Sequence, residues 1–407
     1  MLMGLTSSAV GGASGLLWAP SASAKRPHNE YFSRLNESLK RDGPGRPLMI
    51  LDIDAVNHNI DMIAGSVGEN KNYRVVVKSL PSISLLQHVI KRAKTNSLMV
   101  FHQPFLNELA KKMPESDVLL GKPLPVNAVR TFYANLDRRS YDAANQIQWL
   151  IDSEDRLEQY MKLAKELGIS MKFNFEINVG LHRGGYDEPE QIASSLLKLR
   201  QSSAKFSVSG LMGYEPHLTG QRASLKDQSV QDVLGIYRGF KEKLSASGIG
   251  LEKLSFNGAG SHTLKIYERD DTMNDLSAGS AVVKPTDFDT YHLSDNRPAC
   301  FIAAPVLKRY DRNPYLADPP KNMERLYYIY GGYWKAKIAS PPDIGEPIYQ
   351  STNQSPLTTA SDVSLQVDDY VFYRPTQSEH VMLQFGDLLT VSRNGLGDRW
   401  PVFHQTG

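Results

Sequence analysis

Residues 148–186 read QWLIDSEDRLEQYMKLAKELGISMKFNFEINVGLHRGGY, and the order of patterns in this stretch decides the fold class. QWLID (148–152) is a short, mostly apolar run of strand length. SEDRLEQYMKLAKELG (153–168) opens with Ser153 and an acidic first turn and ends on glycine, the start and stop signals of a helix. KFNFEINV (172–179) is a second β-type run, rich in aromatic and apolar residues. Strand, helix and strand in immediate succession make a βαβ unit. Strands this apolar are expected where both faces are covered, as in a parallel sheet.

The same alternation extends on both sides, from residue 47 to residue 290. The other strand candidates are YRVVVK (73–78), SLMVF (97–101), DVLL (117–120), FSVSGLMGY (206–214), EKLSF (252–256) and DLSAGSAVV (275–283). With the two above they number eight, which fits an α/β fold built on a parallel (β/α)₈ TIM-type barrel. An open, doubly wound sheet is the alternative reading. Residues 291–330 turn irregular and rich in Pro, Asp and Asn. Short β-type runs follow, LYYIYGGYW (326–334), YVFYR (370–374) and DLLTVSR (387–393), which predict a smaller, mostly-β C-terminal domain. The expected division is a leader or unstructured N-terminus over 1–30, the barrel over 31–290 and the β-rich domain over 291–407.

Composition narrows the function. The 407 residues carry 46 basic and 44 acidic side chains, a net charge of only +2, so no electrostatic footprint for nucleic acid is expected. Cys300 is the single cysteine, which excludes an intrachain disulfide and a cysteine-rich zinc site. Residues 1–24 contain no charged side chain and end in Ala22-Ser23-Ala24, a small-x-small pattern of the kind signal peptidases cut. Two readings stand: an exported, periplasmic protein whose mature chain starts near Lys25, or a cytoplasmic protein with a low-complexity N-terminus. No segment reaches the roughly 18 uninterrupted apolar residues of a membrane span.

In a barrel the chemistry sits where strands end and their following loops begin. Lys78, Arg183, Tyr214, His217 and the glycines of 258–260 all fall at such places. Lys78 ends an apolar strand, where partial desolvation would make its amine a Schiff-base candidate; alone it reads more simply as a lysine snorkelling off a strand end. SFNGAGSH (255–262) places Gly258, Ala259, Gly260 and Ser261 in a turn whose N–H groups could surround a phosphate, or which is a plain strand-to-helix turn. Arg183 could hold a ring nitrogen or a carboxylate, or simply pair with Glu176 or Asp187. Tyr214 and His217 are proton-transfer candidates. Tyr214 also reads as core, and His217 as a helix cap.

In this order the pieces resemble the fold-type III pyridoxal-phosphate enzymes, whose barrel is shared with alanine racemase. PLMILDIDAVNHNI (47–60) is similar to that family's opening strand and helix, and YRVVVKS (73–79) to the strand bearing the cofactor lysine. EINVGLHRGGY (176–186) is similar to its E-x-D-x-G-x-x-R-x-G segment, GLMGYEPHL (210–218) to the following strand, and SFNGAGSH to its phosphate loop. The resemblance implies pyridoxal 5'-phosphate as cofactor. It places the Schiff base on Lys78, Arg183 near the pyridine nitrogen, Tyr214 beside the cofactor, and Gly258, Ala259, Gly260 and Ser261 at the phosphate. It also implies a homodimer acting on a small-molecule amino-acid substrate.

The C-terminal runs YYIYGGYW and QSEHVMLQFGDLLTV resemble D-threonine aldolase and D-serine dehydratase more than alanine racemase. Those lyases carry a metal-binding His-x-Cys or His-x-Asp after a G-D strand. Here the corresponding GDLLTVSRNGLGDRW (386–400) has no histidine, and His380 and His404 lack a cysteine or aspartate two residues on. A divalent metal is therefore not expected; tightly held zinc would instead point to His380, Asp387, Asp398 and His404. The expected activity is a pyridoxal-phosphate lyase on D-configured β-hydroxy amino acids, with Lys78, Tyr214 and His217 as its catalytic groups. The alternatives are an amino-acid racemase and a non-catalytic cofactor carrier.

Overall fold

The computed structural model describes residues 27–404 apart from 203–204, 220–221, 343 and 346. Residues 1–26 of the expected leader, with its cleavage pattern, lie outside the described residues, and Glu30 already begins a helix. Eight parallel strands close into a barrel in sequence order: β2 (Asn72–Val76), β3 (Ser97–Val100), β4 (Asp117–Leu120), β5 (Ile147–Ile151), β6 (Met171–Glu176), β7 (Phe206–Met212), β8 (Ser255–Gly258) and β9 (Asp275–Ala278). β9 returns to pair with β2, Tyr73 opposite Leu276, and that closure excludes the open-sheet alternative.

The helices between the strands form for local reasons. Ser153 accepts a hydrogen bond from the Arg156 N–H at the start of Glu154–Leu167, and Gly168 ends that helix with φ +62. Leu157, Tyr160, Met161 and Ala164 recur at helical spacing on its buried face. One strand is displaced from expectation. EKLSF begins late because the Leu254 N–H bonds back to the Leu251 carbonyl in a turn, so β8 starts at Ser255 and runs to Gly258. The polar Asn257 is tolerated there because its amide donates to Asp275 and Ser277 inside the barrel. Deeper in the barrel the buried Arg74 is held between Asp275, at 2.6 Å, and Asp117, at 2.8 Å.

A second sheet stands beside the barrel. It is formed by β1 (Leu48–Asp52), β10 (Cys300–Tyr310), β12 (Ala336–Ser340), β14 (Tyr370–Pro375), β15 (Asp387–Ser392) and β16 (Gly395–Pro401) in the order β12-β14-β10-β1-β15-β16. β11 (Arg325–Tyr330) and β13 (Gln354–Thr359) extend it from β10. The strand β1, expected within the barrel unit, pairs antiparallel with β10 and parallel with β15. The helix Glu30–Asp42 before it belongs here too, laying Phe32, Leu35 and Leu39 on Ile50, Phe301 and Phe372. The mostly-β domain is thus made from both ends of the chain.

Candidate active site

Beyond the carboxyl ends of the barrel strands lies a cavity whose walls include Lys78, Arg183, Tyr214, Ala259, Gly260 and Ser261. Six of the eight expected site residues therefore meet in one place, although up to 183 positions separate them in sequence (261 − 78). Lys78 occupies a short turn, Val77–Ser79, directly after β2. Its Nζ lies 5.0 Å from the centre of the Phe101 ring and forms an ion pair of 2.8 Å with Glu379.

Arg183 follows β6 and makes the ion pair that its simpler reading offered. Its guanidinium pairs with Glu176 at 3.2 Å and also lies over the Tyr214 ring at 5.0 Å, within the cavity wall. Asp187, the other pairing candidate, instead accepts from the Asn178 amide. Burial pushes the Glu176 carboxyl above its usual range, an effect that Arg183 opposes. Burial also raises the Tyr214 phenol, and the nearby Glu215 carboxylate adds to that shift.

Two turns, after β8 and after β9, face each other across Ser261. The Gly279 and Ala281 N–H groups both donate to the Ser261 hydroxyl, at 3.2 and 3.0 Å. Ala259 is held at φ +67, the left-handed region, and a Cβ on Gly260 would come within 2.8 Å of the Tyr214 ring. Backbone donors converge at the last two barrel strands, one set at a short helical turn, Ser280–Val282, the region where barrels of this kind often place a phosphate. These residues fit a pyridoxal-phosphate group: a reachable amine on Lys78, a guanidinium on Arg183, and a cradle of N–H groups around Ser261.

Two expected residues lie elsewhere. Gly258 is packed inside, where a Cβ would meet the Met273 sulfur at 2.1 Å, and it does not line the cavity. His217 is also absent from the lining; its Nε2 faces Gly180, and burial lowers its pKa. The reason is local. Tyr214 borders the cavity, Glu215 turns fully inward, and Pro216 begins a short turn that carries His217 out toward Gly180.

The structure adds residues that sequence reading passed over. Glu215 has no exposed surface; its Oε1 accepts from the Thr263 hydroxyl at 2.7 Å, and Thr263 in turn accepts from the Gly260 N–H at 3.0 Å. Burial pushes the Glu215 carboxyl up to about 7. The available signal was an acidic residue between a strand end and a proline in MGYEPH. His262 stacks on Phe288 at 4.3 Å, and both line the cavity. Glu379 comes from the second domain, on the short helix Glu379–Leu383, and no spacing in the sequence ties it to Lys78. Among the described residues, no group of three His, Cys, Asp or Glu side chains is gathered as metal ligands would be.

The fold has many solved counterparts. D-threonine aldolase from Filomicrobium marinum superposes with a TM-score of 0.71 at 14% identity, over 89% of this chain and 98% of that one. D-threo-3-hydroxyaspartate dehydratase from a Delftia species gives 0.68 at 14% identity, over 88% and 97%. Alanine racemase from Clostridium difficile gives 0.64 at 15% identity, over 87% and 98%. No curated protein matches the sequence. Residues 51–284 match the family described as alanine racemase, N-terminal domain, a span from the end of β1 to the residues just past β9 and more than half of the chain. The chain belongs to the alanine racemase N-terminal domain family.

Proposed function

We propose that this protein is a pyridoxal-phosphate enzyme that cleaves D-configured β-hydroxy amino acids. The observation that carries this reading is the convergence of Lys78, Arg183, Tyr214 and the two N–H-bearing turns on one cavity. Lys78 would hold the cofactor covalently. The turns at Gly260-Ser261 and Gly279–Ala281 would hold its phosphate, and Arg183 its ring nitrogen. Arginine has donors only, so that nitrogen is kept as an acceptor. When bound, the cofactor draws the electron pair left on an amino acid's Cα into its ring, while the protein selects the bond that breaks. Tyr214 borders the cavity as a proton-transfer group, and burial keeps its phenol protonated at neutral pH.

The choice of lyase chemistry rests on likeness across both domains to an aldolase and a dehydratase, each named for a D-configured hydroxy substrate. Product analysis on a panel of D- and L-amino acids tests it. Cleavage or dehydration of a D-β-hydroxy amino acid is the expected outcome. Racemisation of a simple amino acid, with no cleavage, would replace the lyase by a racemase.

A further inference from the structure

Among the described residues, five titratable side chains line the cavity: Lys78, Arg183, Tyr214, His262 and Glu379. Arg183 is engaged by Glu176, from below the cavity, while Lys78 faces Glu379. Among the described residues Glu379 is thus the one carboxylate of the lining, and the second domain delivers it. Its position is fixed from both sides. The Ser79 hydroxyl donates to the same Oε1 at 3.3 Å, and Ser79 accepts from the Ser280 hydroxyl at 3.1 Å. Ser280 sits in the turn that supplies N–H groups to the phosphate cradle. Behind Glu379, the helix is anchored by the buried Val381 and Met382. The other titratable group that feels its charge is the Tyr214 phenol.

This inference rests on the pyridoxal-phosphate reading. There, the amine of a substrate would come to lie where the Lys78 nitrogen now does. A β-hydroxyl oxygen is three bonds from that amine, and Glu379 is 2.8 Å from where Nζ now lies. We propose that Glu379 is the acceptor for the substrate's β-hydroxyl proton and the residue that selects neutral hydroxylated side chains over anionic ones. The released lysine retains its ion pair with the carboxylate, and the proton inventory closes through that pair. Glu379 takes the hydroxyl proton, and the O–H electron pair becomes the second C–O bond of an aldehyde. The Cα–Cβ bond breaks with its pair left on Cα. Cα takes a proton from the Lys78 ammonium, and Glu379 returns its proton to the Lys78 amine. The residues end as they began, and the products are an aldehyde and the shortened amino acid.

A carboxylate here also repels a second carboxylate brought in by the substrate. D-asparagine and D-aspartate share a shape and differ in charge, so their relative affinity reads Glu379 directly. It is measured on the cofactor-loaded protein by titrating the visible absorption band, without turnover. Wild type should prefer D-asparagine, Glu379→Gln should move that ratio toward D-aspartate by about tenfold, and Glu379→Asp should restore the preference. D-threonine cleavage should fall by about a hundredfold or more in Glu379→Gln, the usual loss when a general base is removed, with the visible band retained. A variant that keeps both the wild-type ratio and the wild-type rate overturns the role of Glu379 alone. A wild type that takes up no pyridoxal phosphate overturns the reading beneath it, and the two failures cannot be confused.

Discussion

Glu215 shows at the scale of one residue how the cavity is supported from behind. The carboxyl is fully buried, bonded through Thr263 to the Gly260 N–H, and pushed by burial to about 7 from a usual 4.5. Between those two values the folded protein holds a proton that the unfolded chain has released. Stability is therefore highest below about pH 4.5 with respect to this group and declines as pH rises to about 7. The shift corresponds to about 3 kcal/mol over that window. Glu215→Gln, which keeps the shape and cannot ionise, should flatten the corresponding part of the pH dependence. Urea unfolding at a series of pH values checks this, and parallel curves for wild type and variant would show that Glu215 does not titrate there. The same residue marks a limit of sequence reading. MGYEPH offered a phenol and an imidazole as proton carriers. The backbone instead turns the glutamate inward, which carries His217 away from the cavity, an outcome set by the turn that begins at Pro216.

The turns after β8 and β9 form the element on which cofactor affinity should depend. Gly260 is required there by close approach, because a Cβ would press on the Tyr214 ring at 2.8 Å. Gly260→Val should weaken pyridoxal-phosphate affinity by about tenfold or more, a cost of ~1.4 kcal/mol, while the bound fraction keeps its absorption maximum. Equilibrium titration followed by absorbance separates the two quantities, and an unchanged affinity would return this loop to an ordinary connection. The first of these turns was legible in SFNGAGSH because glycines directly after a strand form a local pattern. The second, Gly279–Ala281, was hidden inside DLSAGSAVV, an apolar run that reads as continuous strand. There β9 stops at Ala278 and a short helical turn begins at Ser280. Most of the barrel strands were legible for the opposite reason, since they are local runs rich in apolar residues, whereas β8, Ser255–Gly258 with its polar Asn257, was placed too early. The role of β1 was not legible, because LMILD is equally apolar whether it enters a barrel or lies between β10 and β15.

Over the whole molecule, the site is completed by contact between the two domains. Arg374 of β14 donates to the Lys284 carbonyl and to Asp289, the Phe403 N–H to the Pro81 carbonyl, and Glu379 pairs with Lys78. These contacts link positions up to 322 residues apart (403 − 81), which is why the barrel half of the site could be read from sequence and the half given by the second domain could not. All of the chemistry proposed here depends on Lys78 as the attachment point of the cofactor. Its strand-end position, the ion pair with Glu379 and the N–H-bearing turns across the cavity support that assignment together. The most direct measurement is borohydride reduction of protein loaded with pyridoxal phosphate, followed by peptide mass mapping. The account predicts one phosphopyridoxyl group per chain, on the peptide carrying Lys78, and none in Lys78→Ala. Label spread over surface lysines, or undiminished in Lys78→Ala, would contradict it.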